Sequence, residues 1–214
     1  MKNTFLFVLV IVFFSCATQQ VSNNGFTSLF NGKDLSGWIG NKQSYTVQNG
    51  MITVNPEEDN GGNLYTEKEY SNFILQFEFK LTSGANNGLG IHTPLEGDAA
   101  YVGKEIQILD NTAKQYANLK DYQYHGSVYG ISPAKRGYLK EVGEWNQQTV
   151  TVNDADINVV LNGETILNAN LDTATTNGTL DGKEHTGLKR TKGHIAFLGH
   201  GDVLSFRNIY IKEI

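Results

Sequence analysis

The segment NFILQFEFKLT, residues 72–82, decides the fold class. Phe and Leu occupy its odd-numbered positions and alternate with Gln76, Glu78 and Lys80. Because successive side chains of an extended chain point to opposite faces, this alternation predicts a long strand with one buried and one polar face. A strand of this kind needs a second layer over its apolar face, so the segment indicates a sheet that packs against another layer.

The rest of the chain continues this pattern with short β-forming runs between turns. The 214 residues include 23 glycines and only three prolines. Asn49-Gly50 and Asn162-Gly163 each lie between β-formers, which is a strong hairpin signal. The only predicted helix is one or two turns within Thr112–Asp121, and residues 170–192 form a long polar loop that could cover a site. We therefore predict a single all-β domain, a β-sandwich or jelly roll.

The N-terminus reads as a targeting segment. A positive Lys2 precedes an apolar run at residues 5–14 that ends before Ser15-Cys16, the one cysteine of the chain. This pattern resembles a bacterial lipobox, so we predict a signal peptide at 1–15, a lipidated tether at 16–25 beginning with Cys16, and a folded domain at 26–214. The alternative is an ordinary signal peptide with an incidental cysteine.

The predicted location and partners follow from the same features. A lipid on Cys16 would anchor the protein to a membrane, and Ala17–Gln20 lack an acidic cluster that would suggest surface display, so a periplasm-facing position is expected. The net charge of −5 with no basic block argues against a nucleic-acid partner.

The segment GKEIQILDN, residues 103–111, carries the polar groups of most interest. Ile106 and Ile108 share one face of a predicted strand, and Glu105 and Gln107 share the other. Asp110 would join Glu105 only if the strand bulged near its end. Two carboxylates on one face are suited to acid/base chemistry on a sugar. The alternative is a solvated polar face without a catalytic role.

Six sequence motifs, taken in order, carry a family resemblance. The chain is similar to the bacterial 3-keto-disaccharide hydrolases over most of residues 26–214. The resemblance implies a concanavalin A-like jelly roll, together with 3-keto-glucoside 1,2-lyase and 2-hydroxy-glucal hydratase activities. Relatives usually carry a Gln-Asp pair where this chain has Leu198-Gly199, and an arginine where it has His92. The motifs are SLFNGKDLSGW (28–38), NLYTEKEYSNFILQFEFKL (63–81), NNGLGIH (86–92), GKEIQILDN (103–111), GEWNQQTVTV with NVVLNG (143–152 and 158–163) and GHIAFLGHGDVLSFRNIYI (193–211).

The implied chemistry selects three candidate catalytic residues. A ketone at C3 acidifies the hydrogen at C2, so elimination needs a base, a group that stabilises the enolate, and an acid for the leaving oxygen. Glu105 is the predicted base, and His200 in a Gly-His-Gly setting is the predicted enolate stabiliser or acid. Asp110 is the third candidate, although an Asx turn would explain it equally well.

The predicted substrate-binding residues lie where strands meet glycines. Tyr129 could stack on a sugar ring, and Gln107 could bind a sugar hydroxyl. Arg207 is included, although its position also suits a structural ion pair. The full predicted set is Gln107, His92, Tyr129, Asn87 and Arg207.

The sequence leaves cofactors open and two other functions in competition. No close-spaced metal motif is present, so no metal ligands are assigned, and a divalent cation stays possible. The chain shows no dinucleotide fingerprint, so a separate oxidoreductase is expected to supply the 3-keto sugar. One alternative is a laminarinase-like retaining endo-glycosidase, because Glu105, Gln107 and Asp110 follow the ExDxxE spacing of such enzymes. The other is a non-catalytic carbohydrate-binding module, although Trp38 and Trp145 read as core or turn residues.

Overall fold

The computed structural model describes residues 24–55 and 62–214. The predicted signal peptide and the lipidation site at Cys16 lie outside these residues, as does nearly all of the tether, and they stay predictions. Within the described ranges, no helix is long and apolar enough to cross a membrane.

Thirteen strands and two short α-helices are described in this part of the chain. The helices are α1 (Ala99–Val102) and α2 (Leu171–Ala174). The strands, in chain order, are β1 (Thr27–Ser28), β2 (Trp38–Gly40), β3 (Tyr45–Gln48), β4 (Met51–Val54), β5 (Asn63–Tyr70), β6 (Phe73–Leu81), β7 (Asn86–Thr93), β8 (Lys104–Leu109), β9 (Trp145–Asn153), β10 (Asp156–Leu161), β11 (Glu164–Asn170), β12 (Gly193–Gly199) and β13 (Leu204–Glu213).

The strands form two antiparallel sheets that face each other across one main core. The larger sheet runs β11-β10-β9-β6-β13-β4-β3, with β1 added on β13. The smaller sheet runs β2-β5-β12-β7-β8. This arrangement confirms the predicted all-β sandwich of the jelly-roll class.

The strand β6 at the centre of the larger sheet explains why the sandwich closes. Its residues alternate between buried and half-buried along its whole length, as the sequence pattern predicted. Phe77 contacts Phe197 and Phe206, whose rings stack 3.8 Å apart, and Trp38 stacks on Phe197. Each large apolar side chain buried in this way contributes roughly 1.5–3 kcal/mol, so β6 and its partners supply much of the core's stabilisation.

The hairpin predictions are confirmed, whereas the helix prediction is only partly right. Asn49 and Asn162 adopt positive φ angles of 52° before their glycines, as two-residue hairpin turns require. Thr112–Asp121 holds no α-helix; it contains a 3₁₀ turn at Lys114–Tyr116, and a second begins at Asp121. The helices α1 and α2 were not predicted, because four residues are too few to show a helical period.

Two features of the smaller sheet determine where Glu105 and His200 lie. The edge strand β8 is covered by the segment 126–129, since Tyr129 N donates to Glu105 O and Gln107 N donates to Ser127 O. The chain then leaves the smaller sheet at the end of β12 and enters the larger sheet at β13. The connection between them carries His200.

Candidate active site

A cavity of about 200 Å³ lies on the outer face of β7 and β8, away from the core between the sheets. Glu105 from β8 and His200 from the β12–β13 connection meet in it, with Glu105 Oε1 3.7 Å from His200 Nε2. Its lining combines amides, tyrosines and carboxylates, namely Asn86, Asp98, Ala100, Tyr101, Glu105, Gln107, Leu109, Tyr116, Leu119, Gln123, Tyr129 and His200.

Glu105 is positioned by strand alternation and by a glycine. Ile106 and Ile108 enter the core, so Glu105 and Gln107 face the cavity, as the sequence predicted. A Cβ atom on Gly88 of the neighbouring strand would lie 2.0 Å from Glu105 Oε1. Only a glycine at this position lets the carboxylate lie close against the sheet.

The carboxylate of Glu105 is buried, and one of its oxygens has no hydrogen-bond donor among the described residues. Its side chain is only 6% exposed, yet Oε1 accepts no hydrogen bond from any described residue. A buried carboxylate oxygen without a donor is costly in a folded protein, and such groups are typical of functional sites. Glu105 is therefore available to accept a proton from a ligand.

His200 is the partner of this carboxylate in the cavity. Its side chain is 46% exposed, and the attraction of Glu105 raises the pKa of the imidazole even though burial opposes the shift. The carboxylates of Asp98 and Asp202 raise it further. The connection is fastened to β7 because Asn86 N donates to Asp202 Oδ2 at 3.0 Å. His200 therefore holds its proton to higher pH than an ordinary histidine does.

Two further predicted residues line the same cavity. Gln107 Nε2 donates to Asn86 Oδ1 at 2.7 Å, which leaves the Gln107 carbonyl oxygen for a ligand. Tyr129 is half-buried, and its hydroxyl accepts a hydrogen bond from Gln123 Nε2. Burial raises the pKa of Tyr129, so the phenol keeps its hydrogen.

Several cavity residues were not predicted from the sequence. The helix α1 brings Ala100 and Tyr101 to the rim, and Asp98 caps this helix by accepting from Ala100 N. An N-cap Asp before two alanines is a readable helix start, so that signal was available. Nothing local in the sequence indicated that the helix would fold over Glu105.

Asp110 does not join this site, which corrects the prediction that it is catalytic. Strand β8 pairs with β7 without a bulge, so the alternation stays regular and Asp110 keeps the face of the isoleucines. Its carboxylate accepts hydrogen bonds from Gly84 N, Thr112 N and Thr112 Oγ1. Burial opposes the shift, but these bonds hold the pKa of Asp110 below its usual value. Asp110 fastens two loops, as the Asx-turn alternative supposed.

His92 also lies elsewhere, and its predicted contact with substrate is corrected. A positive φ of 52° at this residue turns its ring toward the core, edge-on to Phe73. The ring nitrogens lie 2.7 Å from Ser71 O and 3.0 Å from Arg190 O. Burial lowers the pKa of His92, so the ring packs as a neutral group.

Asn87 and Arg207 complete the corrections. Asn87 is fully buried on the core side of β7, where its amide has no hydrogen-bond partner among the described residues. Arg207 lies on the outer face of the larger sheet, where it pairs with Glu78 and stacks over Trp145. Neither residue lines the cavity, because strand alternation points the first inward and the second belongs to the other sheet.

The described residues contain no group of three or more His, Cys, Asp or Glu side chains arranged to hold a metal ion. Within the cavity, the histidine and the nearest carboxylate instead form the pair described above. The arrangement is suited to acid/base chemistry by a buried carboxylate and an imidazole.

Comparison with known proteins gives consistent results. Residues 25–212 match a family described as the 3-keto-alpha-glucoside-1,2-lyase-like domain. A protein of Bacteroides thetaiotaomicron named 3-keto-disaccharide hydrolase is 27% identical over 232 aligned residues, covering 91% of this chain and 80% of the relative.

Solved structures from Parabacteroides distasonis are similar across nearly the whole domain. One, titled "putative glycosyl hydrolase", is 28% identical with a TM-score of 0.78 and covers 89% of this chain and 100% of its own. A second with the same title is 25% identical with a TM-score of 0.77, covering 89% and 94%. A carbohydrate-binding module from Bacillus subtilis shares the fold alone, at 10% identity, a TM-score of 0.53 and coverages of 83% and 96%.

Proposed function

Because this chain belongs to the 3-keto-alpha-glucoside-1,2-lyase-like family, we propose that it is an enzyme that cleaves 3-keto-glucosides, 3-keto-disaccharides among them. The name of the Bacteroides thetaiotaomicron relative supports this class of substrate. The observation that carries the proposal is the buried Glu105 carboxylate, with one oxygen free of hydrogen bonds and an imidazole 3.7 Å away.

Cleavage begins with an elimination across C1 and C2. The C3 ketone acidifies the hydrogen at C2, and Glu105 takes it as a proton. The C1–O bond breaks, and protonated His200 gives its proton to the departing oxygen. The products are a 3-keto-2-hydroxy-glucal with a C1=C2 double bond and the free alcohol of the leaving group.

Hydration of the glucal restores both residues. Water adds its hydroxyl to C1 and gives a proton to neutral His200, while protonated Glu105 returns a proton to C2. The net reaction is hydrolysis. The raised pKa of His200 supports this assignment, because the residue must be an acid in the first step near neutral pH.

Neutral donors and acceptors of the cavity assist the two steps. The hydroxyl of Tyr129 keeps its hydrogen and can donate it to the C3 oxygen as negative charge develops there. The free carbonyl oxygen of Gln107 can accept from a sugar hydroxyl. Neither step forms the C3 ketone that the reaction requires. The proposal therefore includes a separate oxidoreductase that oxidises the sugar at C3 beforehand.

The test follows cleavage of 3-keto-trehalose in D₂O by NMR, with unoxidised trehalose as the comparison substrate. Buried Glu105 can return to C2 the proton that it took, so the deuterium label is read in the hydration step alone. Wild-type protein should cleave only the keto sugar, and 3-keto-2-hydroxy-glucal supplied to it in D₂O should be hydrated with deuterium at C2. Equal cleavage of both sugars, or a glucal that the protein leaves unchanged, would refute the proposal.

Variants assign the roles. Glu105→Gln should lower kcat/KM by roughly 10²–10⁴-fold, which is the usual contribution of a general base, and His200→Ala should also lose activity. Glu164→Gln, an exposed carboxylate at a distant turn, is the matched control and should behave as wild type. Each assay is repeated with a chelator, because activity that a divalent cation restores would reveal a metal requirement.

A further inference from the structure

The rim residue Tyr101 connects the cavity to the long loop between β11 and β12. Its hydroxyl accepts a hydrogen bond from Lys183 Nζ at 2.8 Å. The ammonium also lies 4.8 Å from the centre of the Tyr101 ring, and the imidazole of His185 packs on the same ring at 4.8 Å. The loop therefore contacts the edge of the catalytic cavity at this side chain.

The loop is held at this position by buried polar contacts. The side chain of His185 is fully buried, and its ring nitrogens lie 3.0 Å from Asp181 Oδ2 and 3.1 Å from Ala100 O. Leu180 N donates to Gly130 O at 2.7 Å, which ties the other side of the loop to the segment beside Tyr129. Such contacts give residues 180–185 a defined position against α1.

A second concavity of about 680 Å³ lies in this loop, lined by residues between 175 and 189. Its lining mixes apolar surface, Leu188 included, with polar residues, Thr179, Asn177 and Lys183 among them. Lys183 and His185 line this concavity and also contact Tyr101, which lines the catalytic cavity. Tyr101 therefore lies between the two spaces.

The catalytic cavity is too small to enclose a whole disaccharide. Pockets that enclose a ligand of drug size have volumes of roughly 300–1,000 Å³. A cavity of about 200 Å³ is below that range and suits one sugar ring. A disaccharide bound through its keto-sugar must place its second ring outside this cavity, and the concavity of residues 175–189 lies on the other side of Tyr101.

We propose that the concavity of residues 175–189 binds the leaving sugar of a 3-keto-disaccharide, with Lys183 as a specificity-determining residue that donates to its hydroxyls. This inference rests on the proposed function for its substrate class. The concavity would favour hydroxyl-rich leaving groups over small alkyl ones, since an alkyl group cannot exchange hydrogen bonds with Lys183 or its polar neighbours.

The kinetic test compares two substrates that share the keto-sugar and differ in the leaving group, 3-keto-trehalose and methyl 3-keto-glucoside. Lys183→Met keeps the apolar stem and removes the ammonium. We expect the ratio of kcat/KM for the disaccharide over the methyl glucoside to fall roughly tenfold, as expected for loss of one hydrogen bond from a charged group. Lys192→Met, an exposed lysine that does not line the concavity, should keep the wild-type ratio. An equal loss on both substrates would overturn the inference.

A binding test keeps the inference separate from the proposed reaction. Free glucose, titrated into the wild-type protein, should shift the backbone amide resonances of residues 175–189, and Lys183→Met should weaken its binding by a similar factor. Glucose that perturbs no amide in this loop, or that binds the variant equally well, would refute the subsite whatever the turnover. If glucose binds there but no keto sugar is cleaved, the proposed function fails and the subsite stands.

Discussion

Replacing Gly88 by alanine should displace the side chain of Glu105, the proposed catalytic base, and lower the activity although Glu105 itself is unchanged. The added Cβ atom would lie 2.0 Å from Glu105 Oε1 and 2.7 Å from Glu105 Cδ. Real Cβ atoms essentially never approach other atoms more closely than 3.0 Å, so the carboxylate must retreat by about 1 Å. Gly88 has no positive φ angle, so its backbone accepts alanine and the effect falls on the side chain.

The expected cost follows from that displacement. A misplacement of about 1 Å at a reacting group lowers the rate by roughly 10²-fold, which corresponds to about 2.7 kcal/mol in the activation free energy. The assay is kcat/KM on a 3-keto-glucoside, measured beside the thermal midpoint of unfolding. Gly90→Ala is the matched control, since the atoms nearest to its Cβ would be those of Thr93, Ala196 and Leu198, at 2.8, 3.2 and 3.2 Å.

A double variant sharpens the test. In Glu105→Asp the carboxylate is withdrawn by one methylene, so adding Gly88→Ala should cost less than it does in the wild-type background. The reasoning would be wrong if Gly88→Ala kept kcat/KM within threefold of wild type, or if Gly90→Ala lost as much activity at the same stability.

Three other predictions concern titration and stability. Complete burial lowers the pKa of His125 to about 4 from 6.5, so the unfolded state binds the extra proton between these values and stability falls as pH drops through this window. Chemical denaturation should show a loss of about 2 kcal/mol between pH 7 and pH 5 that His125→Gln lacks, and equal slopes would contradict it. In Glu105→Gln the pKa of His200 should fall relative to wild type, as followed by NMR of its ring protons, because the raising carboxylate is gone; an unchanged titration would exclude the ion pair. Asp110→Ala should lower the free energy of unfolding by about 2–4 kcal/mol, since it leaves buried donors unpaired, with kcat of the folded enzyme within threefold of wild type. A large fall in the kcat of Asp110→Ala without a loss of stability would instead indicate that Asp110 takes part in the reaction.

The fold was predictable because its signals are local. Alternation in residues 72–82 reports which face of β6 is buried, and Asn-Gly pairs report tight turns with positive φ. The same alternation separated Glu105 from Ile106 correctly. These features depend only on neighbours along the chain, which a sequence displays directly.

The site was only partly predictable, because its walls are assembled from distant segments. Tyr101 and Asp98 reach the cavity through a four-residue helix whose position depends on His185, more than eighty residues later. His92 was predicted from its position at a strand end in a family motif, and that position does not reveal the left-handed backbone that turns its ring away from the cavity. Asp110 was left open because a bulge is decided by pairing with β7, which the sequence of one strand does not reveal.

The connection between β12 and β13 has a consequence for how such a protein can evolve. It crosses from one sheet to the other, carries His200, and is fastened to β7 through Asp202. Insertion or deletion of one residue there would shift the imidazole relative to Glu105 while leaving both sheets intact. The loop of residues 175–189, by contrast, meets the cavity at its rim. Homologues that keep the reaction should therefore have a β12–β13 connection of constant length. Changes in leaving-group preference should instead accompany insertions and deletions in the loop of residues 175–189.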